Sequence, residues 1–214
     1  MFKKGYDSNR NNKHDLSTVE PIRELSAIAA IKALVADSPR EFALFVIGIN
    51  TAFRASDLLR LKVGQVRGLQ VGDDMLSRER KTGKSRRITA NQSVVDAVAK
   101  LLATMPDAED HDFLFQSTRW ADWTKSIEAG KRIKDHLSVT FLARLIKEWC
   151  AAVGLTGNYG THTLRKTCSY HAYKTFGVPL ETIMEMLNHS SPKTTLGYLC
   201  IQDEEVRAAY LNTL

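Results

Sequence analysis

The sequence predicts a mainly α-helical domain with a small antiparallel β-sheet, an α+β fold. Apolar residues recur at helical spacing through most of the 214-residue chain. Residues 63–91 differ, because they contain four glycines and short alternating segments that are typical of strands and turns. Hydrophobic residues make up 43% of the chain, which is enough to bury a core in a chain of this length.

Three helices are expected in the first part of the chain. Proline suits the first turn of a helix, so the first helix is predicted to begin at Pro21. It carries apolar residues at helical spacing, namely Leu25, Ile28, Ile31 and Leu34. Ser38 and Pro39 end that helix. A second helix covers residues 42–49, and a third, short one begins near Ala55.

A β-hairpin follows in the glycine-rich segment, with turns predicted at Gly72-Asp73 and at Thr82-Gly83. Helical periodicity then returns in separate segments. The helices predicted there are 93–102, 139–152, 164–176, 180–187, a short helix that contains Tyr198, and 204–214.

The charge and cysteine content narrow the class of protein. A formal charge of +6 and an isoelectric point of about 9.2 favour a polyanionic partner, most often nucleic acid. The three cysteines form no CxxC pair, which fits a reduced, cytoplasmic protein better than a disulfide framework or a zinc site. No apolar run approaches the ~20 residues that a membrane helix needs. Residues 1–20 are polar and are expected to form a flexible basic arm or linker.

A first candidate phosphate site lies in THTLRKT, residues 161–167. His162 and Arg165 are three residues apart, so they share a face close to the start of the predicted helix. The N-terminus of a helix attracts anions through its free N–H groups and its dipole. The pattern H-x-x-R is frequent by chance, and taken alone it more often has a structural role.

Arg54 stands in NTAFRASDLLRLK, residues 50–62, between an apolar helix and a leucine-rich one. The small residues around it, Ala52, Ala55 and Ser56, would let a backbone or a substrate approach closely. The helix dipole disfavours a cation at a helix N-terminus. A cation at this position therefore suggests a functional role, and the alternative is an ordinary surface arginine.

Six of the ten residues in RERKTGKSRR, residues 78–87, are lysine or arginine. On a hairpin, such a run either reaches into a DNA groove or forms a solvated edge that blocks strand pairing, and both remain open. Lys81 precedes the Thr-Gly turn, so it is expected at the hairpin tip, where it could act as a mobile acid. The other basic residues are the candidate DNA-binding residues, Arg78, Arg80, Lys84, Arg86 and Arg87.

The segment LNHSSPKTTLGYL, residues 187–199, places His189 nine residues before Tyr198. It is either a loop that starts a helix or a phosphate-binding histidine beside a nucleophilic tyrosine. Together with the arginines and Lys81, His189 and Tyr198 supply positive or proton-donating groups and one nucleophile. No cluster of carboxylates in the sequence suggests a metal site. The chain also lacks the phosphate-binding loop, the dinucleotide-binding glycine motif and HExxH.

These motifs, in this order, resemble those of the tyrosine recombinases, also called the phage integrase family. The family patterns are T-G-x-R-x-S-E-L, a hairpin lysine, H-x-L-R-H-T and L-G-H-S-S-x-x-T-T-x-x-Y. The matching segments here are TAFRASDLLRL, KTGK, HTLRKT and LNHSSPKTTLGY, and the resemblance runs from about residue 21 to the end. Asn188 replaces a glycine and Lys166 replaces a common histidine, and neither change removes a catalytic group.

The resemblance implies a tyrosine recombinase catalytic-domain fold over residues 21–214. Most members of the family also carry an N-terminal core-binding domain, which is expected to be absent here, either because the recombinase is naturally short or because the clone was cut. It implies a site-specific recombinase that breaks and rejoins DNA through a covalent 3′-phosphotyrosine, without a metal, ATP or another cofactor. The implied catalytic residues are Arg54, Lys81, His162, Arg165, His189 and the nucleophile Tyr198. The implied partners are double-stranded DNA and further copies of the chain, as a tetramer on two synapsed sites. The amphipathic segment 203–214 docks either on a neighbouring protomer or on its own domain.

Two alternatives to this activity stay open. The first is a DNA-binding relative that does not cut, and the intact set of catalytic residue types argues against it. The second is a type IB topoisomerase-like nicking-closing enzyme, which shares the covalent step but needs no synapsis. The sequence discriminates poorly between that activity and recombination.

Overall fold

The structure is a computed structural model that describes residues 19–78, 83–117, 135–201 and 203–212. Helices make up most of the fold in those ranges. Within those ranges the helices, numbered in chain order, are α1 (Leu25–Leu34), α2 (Pro39–Thr51), α3 (Ala55–Leu58), α4 (Gln92–Leu102), α5 (Val139–Ala152), α6 (Thr163–Lys174), α7 (Leu180–Leu187), α8 (Pro192–Leu199) and α9 (Asp203–Tyr210). A short 3₁₀ turn lies between α3 and the hairpin.

Strands β1 (Asp74–Arg78) and β2 (Ser85–Thr89) form an antiparallel hairpin. Side chains alternate along β2, so Arg86 and Ile88 are buried while the residues between and beside them are exposed. Gly83 has a φ of 69°, which glycine adopts without strain and which agrees with a turn just before β2. The predicted class, mainly α with a small antiparallel sheet, is confirmed.

The first helix begins at Leu25, so the predicted start at Pro21 is wrong. Hydrogen bonds to α6 hold the preceding residues instead. The Ile22 N–H donates to Thr167 Oγ1 over 2.9 Å, and Ile22 O lies 2.9 Å from His171 Nε2. A helical turn here would leave these buried partners unsatisfied, so tertiary contacts override the local preference of proline.

Helices α4 and α5 begin at side-chain caps. The side chain of Asn91 accepts a hydrogen bond of 3.0 Å from the third backbone N–H of α4. Ser138 does the same for α5, over 3.1 Å. The predicted range 139–152 is the observed α5, and the predicted range 180–187 is the observed α7.

Helix α2 lies at the centre of the main core. Its buried residues include a continuous run, Ala43, Leu44, Phe45, Val46, Ile47 and Gly48. Helices α4 and α6 pack against it, and Phe45 meets Trp149 of α5 edge to face with 5.8 Å between ring centroids. Across the described part of the chain, no helix is both long enough and apolar enough to span a membrane.

A second, smaller core forms at the C-terminal end of α2. Its members are Ala52, Cys168, Ala172, Ile183, Leu187 and Leu199. These residues join the end of α2 to α6, α7 and α8, and the ring of Tyr198 packs against them. This small core therefore gathers the segments that carry most of the candidate catalytic residues.

Gly48→Val is expected to lower the free energy of unfolding by about 1–3 kcal/mol, because it overfills the contact between α2 and α6. A Cβ atom at position 48 would lie 2.5 Å from Leu164 Cδ1 and 3.1 Å from Leu164 Cβ. Leu164 is itself buried, so it cannot swing into solvent to make room. Urea unfolding followed by circular dichroism would measure the difference. An unchanged midpoint would contradict this close approach of the two helices.

Candidate active site

Arg165 is fully buried in the first turn of α6, where two backbone carbonyls bind its guanidinium. Nη1 donates to Ala52 O and Nη2 donates to Leu187 O, each over 2.6 Å. A buried charge without such partners would be costly. Both carbonyls stand at the C-terminal ends of helices, α2 and α7, where the helix dipole favours a cation. The two helix ends therefore fix the orientation of the guanidinium.

The chain turns sharply beside both carbonyls. Ala52 has a φ of 50°, and Asn188, which follows Leu187, has a φ of 54°. Asparagine tolerates this left-handed conformation better than most residues, which explains why it can replace the glycine of the family pattern. Cys200, directly after α8, has a φ of 47°. Among the described residues these three are the non-glycine residues with positive φ, and such strain often collects at functional sites.

Tyr198 lies on α8 with its hydroxyl 3.3 Å from Nδ1 of His162. His162 is exposed and stands at the N-cap position of α6. A phenol in water loses its proton only near pH ~10, so at neutral pH it needs a base to become a good nucleophile. A neutral histidine at hydrogen-bond distance can be that base. The structure therefore joins a potential nucleophile to a potential base.

His189 contacts both the nucleophile candidate and the buried arginine. Its ring centroid lies 4.9 Å from that of Tyr198, and its Nε2 lies 3.5 Å from Arg165 Nη2. Its Nδ1 lies 3.1 Å from Thr195 Oγ1. A guanidinium has no acceptor, so this contact requires the lone pair on Nε2 and the proton on Nδ1. Arg165 and Thr195 together favour one neutral tautomer of His189.

Lys166 is a residue of this site that reasoning from the sequence missed. It is buried, its Nζ donates to Cys200 Sγ over 3.4 Å, and the same atom lies 5.7 Å from the ring centroid of Tyr198. Arg165 Cζ lies 5.6 Å from that centroid, so two cations face one aromatic ring. The available signals were its place next to Arg165 and its departure from the family's histidine.

Arg54 lies in the short connection between α2 and α3. It lies two residues after Ala52, whose carbonyl binds Arg165, and it stands at the N-cap position of α3 with an extended backbone of φ −67° and ψ 148°. Its side chain is partly exposed. The structure thus brings together four of the six candidate catalytic residues, namely His162, Arg165, His189 and Tyr198.

The structure describes some basic residues of the hairpin in full, one by its backbone alone, and others not at all. Lys84 and Arg87 are exposed, as a contact with DNA requires. Arg80 and the candidate acid Lys81 lie outside the described residues, and only the backbone of Arg78 is described. The roles predicted for these residues remain predictions.

Arg86 differs from Lys84 and Arg87 because backbone carbonyls occupy its guanidinium, which argues against the prediction that it binds DNA. It is buried on the inner face of β2. Its guanidinium donates to Ala52 O over 2.8 Å, to Thr51 O over 2.9 Å and to Met186 O over 2.5 Å. The composition of the basic run hid this role, whereas strand alternation, which places Arg86 on the same face as Ile88, could have indicated it.

Cys150 and Cys168 are expected to resist alkylation at pH 8, whereas Cys200 should react. Burial raises the pKa of Cys150 to about 12 and the pKa of Cys168 to about 11. The reactive thiolate forms only as the pH rises towards those values, so both thiols stay protonated at pH 8. Cys200 is partly exposed. Mass spectrometry after brief iodoacetamide treatment would locate the label, and equal labelling of Cys168 and Cys200 would contradict this burial.

Comparison with known proteins identifies the family. The profile of the phage integrase family matches residues 20–205. A protein of Bacillus subtilis (strain 168), named as the probable integrase/recombinase YoeC, is 35% identical over 193 residues, which cover 90% of this chain and 95% of that protein. The chain belongs to the phage integrase family, the tyrosine recombinases that cleave and rejoin DNA.

Two solved structures share the fold. XerA recombinase matches with a TM-score of 0.70 and 20% identity, over 89% of this chain and 64% of that one. A lambda integrase dimer bound to a core site matches with a TM-score of 0.60 and 17% identity, over 88% of this chain and 62% of that one. This chain therefore spans less than two thirds of either solved chain, and the likeness establishes the catalytic-domain fold.

Proposed function

We propose that this chain is a site-specific recombinase in which Tyr198 is the nucleophile. The Tyr198 hydroxyl oxygen attacks the scissile phosphorus, the bond from phosphorus to the 5′-oxygen breaks, and a 3′-phosphotyrosine forms. The observation that carries this proposal is the 3.3 Å contact of that hydroxyl with His162 Nδ1, beside the guanidinium of Arg165. The new link keeps the phosphodiester energy, so a 5′-hydroxyl can reverse the attack and rejoin DNA without ATP.

Two proton transfers accompany the attack. The Tyr198 proton passes to Nδ1 of His162, and the distance of 3.3 Å between the two atoms supports this step. The leaving 5′-oxygen needs a proton in return, and Lys81 would supply it from the hairpin. The role of Lys81 rests on the family resemblance, because that residue lies outside the described ranges.

The charge that grows on the phosphate is neutralised by Arg54 and Arg165. The contacts of Arg165 with Ala52 O and Leu187 O set its orientation before substrate arrives, so little reorganisation is needed during the reaction. One such donor is worth about 3 kcal/mol, or about a hundredfold in rate. The role of His189 as a further phosphate-binding group rests on the family resemblance. Groups of this kind can support the reaction without a metal ion.

Double-stranded DNA is the proposed substrate, and the proposed assembly is a tetramer on two synapsed sites. A formal charge of +6 and the exposed Lys84 and Arg87 support binding to DNA, together with Arg78 and Arg80 of the same basic run. Lambda integrase, which shares this fold, binds its core site as a dimer. Tyr210 and Leu211 at the end of α9 are 86% and 76% exposed, and this apolar surface would suit a neighbouring protomer.

The family match supports residues 21–214 as the catalytic domain that carries these steps. We expect it to act in the cytoplasm, where thiols stay reduced. Cys150, Cys168 and Cys200 are all free, which agrees with that environment.

Covalent trapping tests the proposed function. The protein is incubated with nicked duplexes prepared from DNA of its own source, and the products are separated on a denaturing gel. Because of the nick, cleavage releases a short fragment that carries the 5′-hydroxyl. Without that hydroxyl, the adduct cannot reverse. We expect a DNA band of higher mass that a protease removes. Clear DNA binding without an adduct would overturn the cleavage step and favour a DNA-binding relative.

The adduct is expected to form at the same rate with EDTA or with Mg²⁺, because cationic side chains supply the charge neutralisation. Single-turnover trapping in parallel buffers would compare the two rates. If EDTA abolished the adduct and Mg²⁺ restored it, the result would contradict a metal-free step. Exchange of strands between two labelled duplexes, rather than relaxation of one plasmid alone, would separate recombination from a topoisomerase-like activity.

A further inference from the structure

Arg86 joins three separate parts of the fold through one side chain. It leaves the hairpin strand β2 and reaches the C-terminal ends of α2 and α7. Its nitrogen atoms donate to Thr51 O and Ala52 O at the end of α2, and to Met186 O near the end of α7. The buried ring of Phe53 lies 5.5 Å from its guanidinium carbon. An arginine that only solvates an edge would make none of these contacts.

The carbonyls bound by Arg86 are those that frame Arg165. Ala52 O accepts from both arginines, from Arg86 over 2.8 Å and from Arg165 over 2.6 Å. Met186 precedes Leu187, whose carbonyl accepts from the other end of the Arg165 guanidinium. The last four carbonyls of a helix have no partner within the helix. The two arginines therefore share the capping of both helix ends.

The geometry of Arg165 depends on the separation of these two helix ends. Its guanidinium spans Ala52 O and Leu187 O, so a change in that separation would turn or release it. The left-handed residues Ala52 and Asn188 lie at these ends, and each holds a conformation that needs support from its surroundings. Arg86 supplies a cross-link between the ends, over three hydrogen bonds of charged character.

We propose that Arg86 is a positioning residue for Arg165, and that it does not contact DNA. This inference rests on the proposed function, because it assigns a task to a residue that stands behind the phosphate-binding arginine. Arg86 fixes the ends of α2 and α7 relative to the hairpin, and those ends fix the guanidinium of Arg165. Its loss lowers the rate of strand cleavage while binding to DNA stays nearly unchanged.

The activity test compares Arg86→Met and Arg86→Lys with wild type in single-turnover trapping. Misplacement of a catalytic group by a remote change costs up to about a hundredfold in rate, and we expect a loss of about tenfold to a hundredfold for Arg86→Met. Lysine keeps the charge but offers one nitrogen, so it should restore only part of the rate. The matched control is Arg67→Met, since Arg67 also binds a carbonyl, Ala108 O, and a carboxylate, Asp110. It should cleave as wild type does.

A neutral substrate separates positioning from general damage. A methylphosphonate at the scissile position lacks the charge that Arg165 neutralises. The rate loss of Arg86→Met should therefore shrink on this substrate, and the loss of Arg165→Met should shrink in the same way. An equal loss on both substrates would mean that Arg86 only stabilises the fold. A wild-type rate on both, or a selective loss of DNA affinity, would overturn the proposal directly.

A second measurement does not depend on activity and distinguishes this proposal from a failure of the proposed function. In protein labelled with ¹⁵N-arginine, the guanidinium protons of Arg165 should exchange slowly with water in the wild type. Arg86→Lys keeps the charge, so it serves even if Arg86→Met does not fold. It should make that exchange faster, whereas Arg67→Lys should not. Unchanged exchange in Arg86→Lys would overturn the proposal even if the wild type cleaves DNA.

Discussion

Tyr198→Phe is expected to form no covalent adduct with DNA and to bind DNA with unchanged affinity. The change removes one oxygen atom, which is the atom that would attack the phosphorus. The ring remains, and with it the packing against the small core and the contacts with Arg165 and His189. We expect a complete loss, because neither His162 nor the arginines can supply the missing bond.

Tyr173→Phe provides the matched control for this result. Tyr173 also packs against the small core, but it has no predicted role, so its variant should form adduct at the wild-type rate. The trapping gel reports cleavage, and fluorescence anisotropy with a labelled duplex reports binding. An adduct on Tyr198→Phe would remove Tyr198 from the role of nucleophile, and peptide mass spectrometry would then identify the attached residue. Loss of the adduct in both variants would point to structural damage.

Local signals were sufficient to predict much of the fold. Helix α5 matches its predicted range because its apolar periodicity is strong and Ser138 caps its start. The first helix was placed too early, because hydrogen bonds from Ile22 to α6, 145 residues away in the chain, keep the residues after Pro21 out of a helix. Such distant partners leave no trace in the local sequence.

The candidate site shows the same division between local and distant information. Short motifs located His162, Arg165, His189 and Tyr198, and the structure brings these four side chains into contact with one another. The left-handed backbone of Ala52 could not be predicted, since alanine has no preference for that conformation. The burial of Arg86 was hidden by the basic residues around it, because composition does not show which face of a strand points inward.

Arg165→Lys is expected to slow adduct formation by about a hundredfold or more, nearly as much as Arg165→Ala, although lysine keeps the charge. The guanidinium reaches Ala52 O with one nitrogen atom and Leu187 O with another. An ammonium has a single nitrogen, so it cannot hold both carbonyls and also offer a planar pair of donors to a phosphate. The rate should therefore depend on the geometry of the donor more than on its charge.

The measurement must separate this loss from a loss of stability. Removing the guanidinium takes away the donor to Leu187 O, at about 1–3 kcal/mol, while Ala52 O keeps the hydrogen bond from Arg86. Single-turnover trapping at saturating protein, well below the unfolding temperature of each variant, excludes unfolding and weak binding as causes. Arg144→Lys is the control, because Arg144 is exposed and pairs with Glu148 on the surface of α5. If Arg165→Lys cleaved at nearly the wild-type rate, charge alone would be enough, and the two carbonyls would hold Arg165 for stability rather than for catalysis.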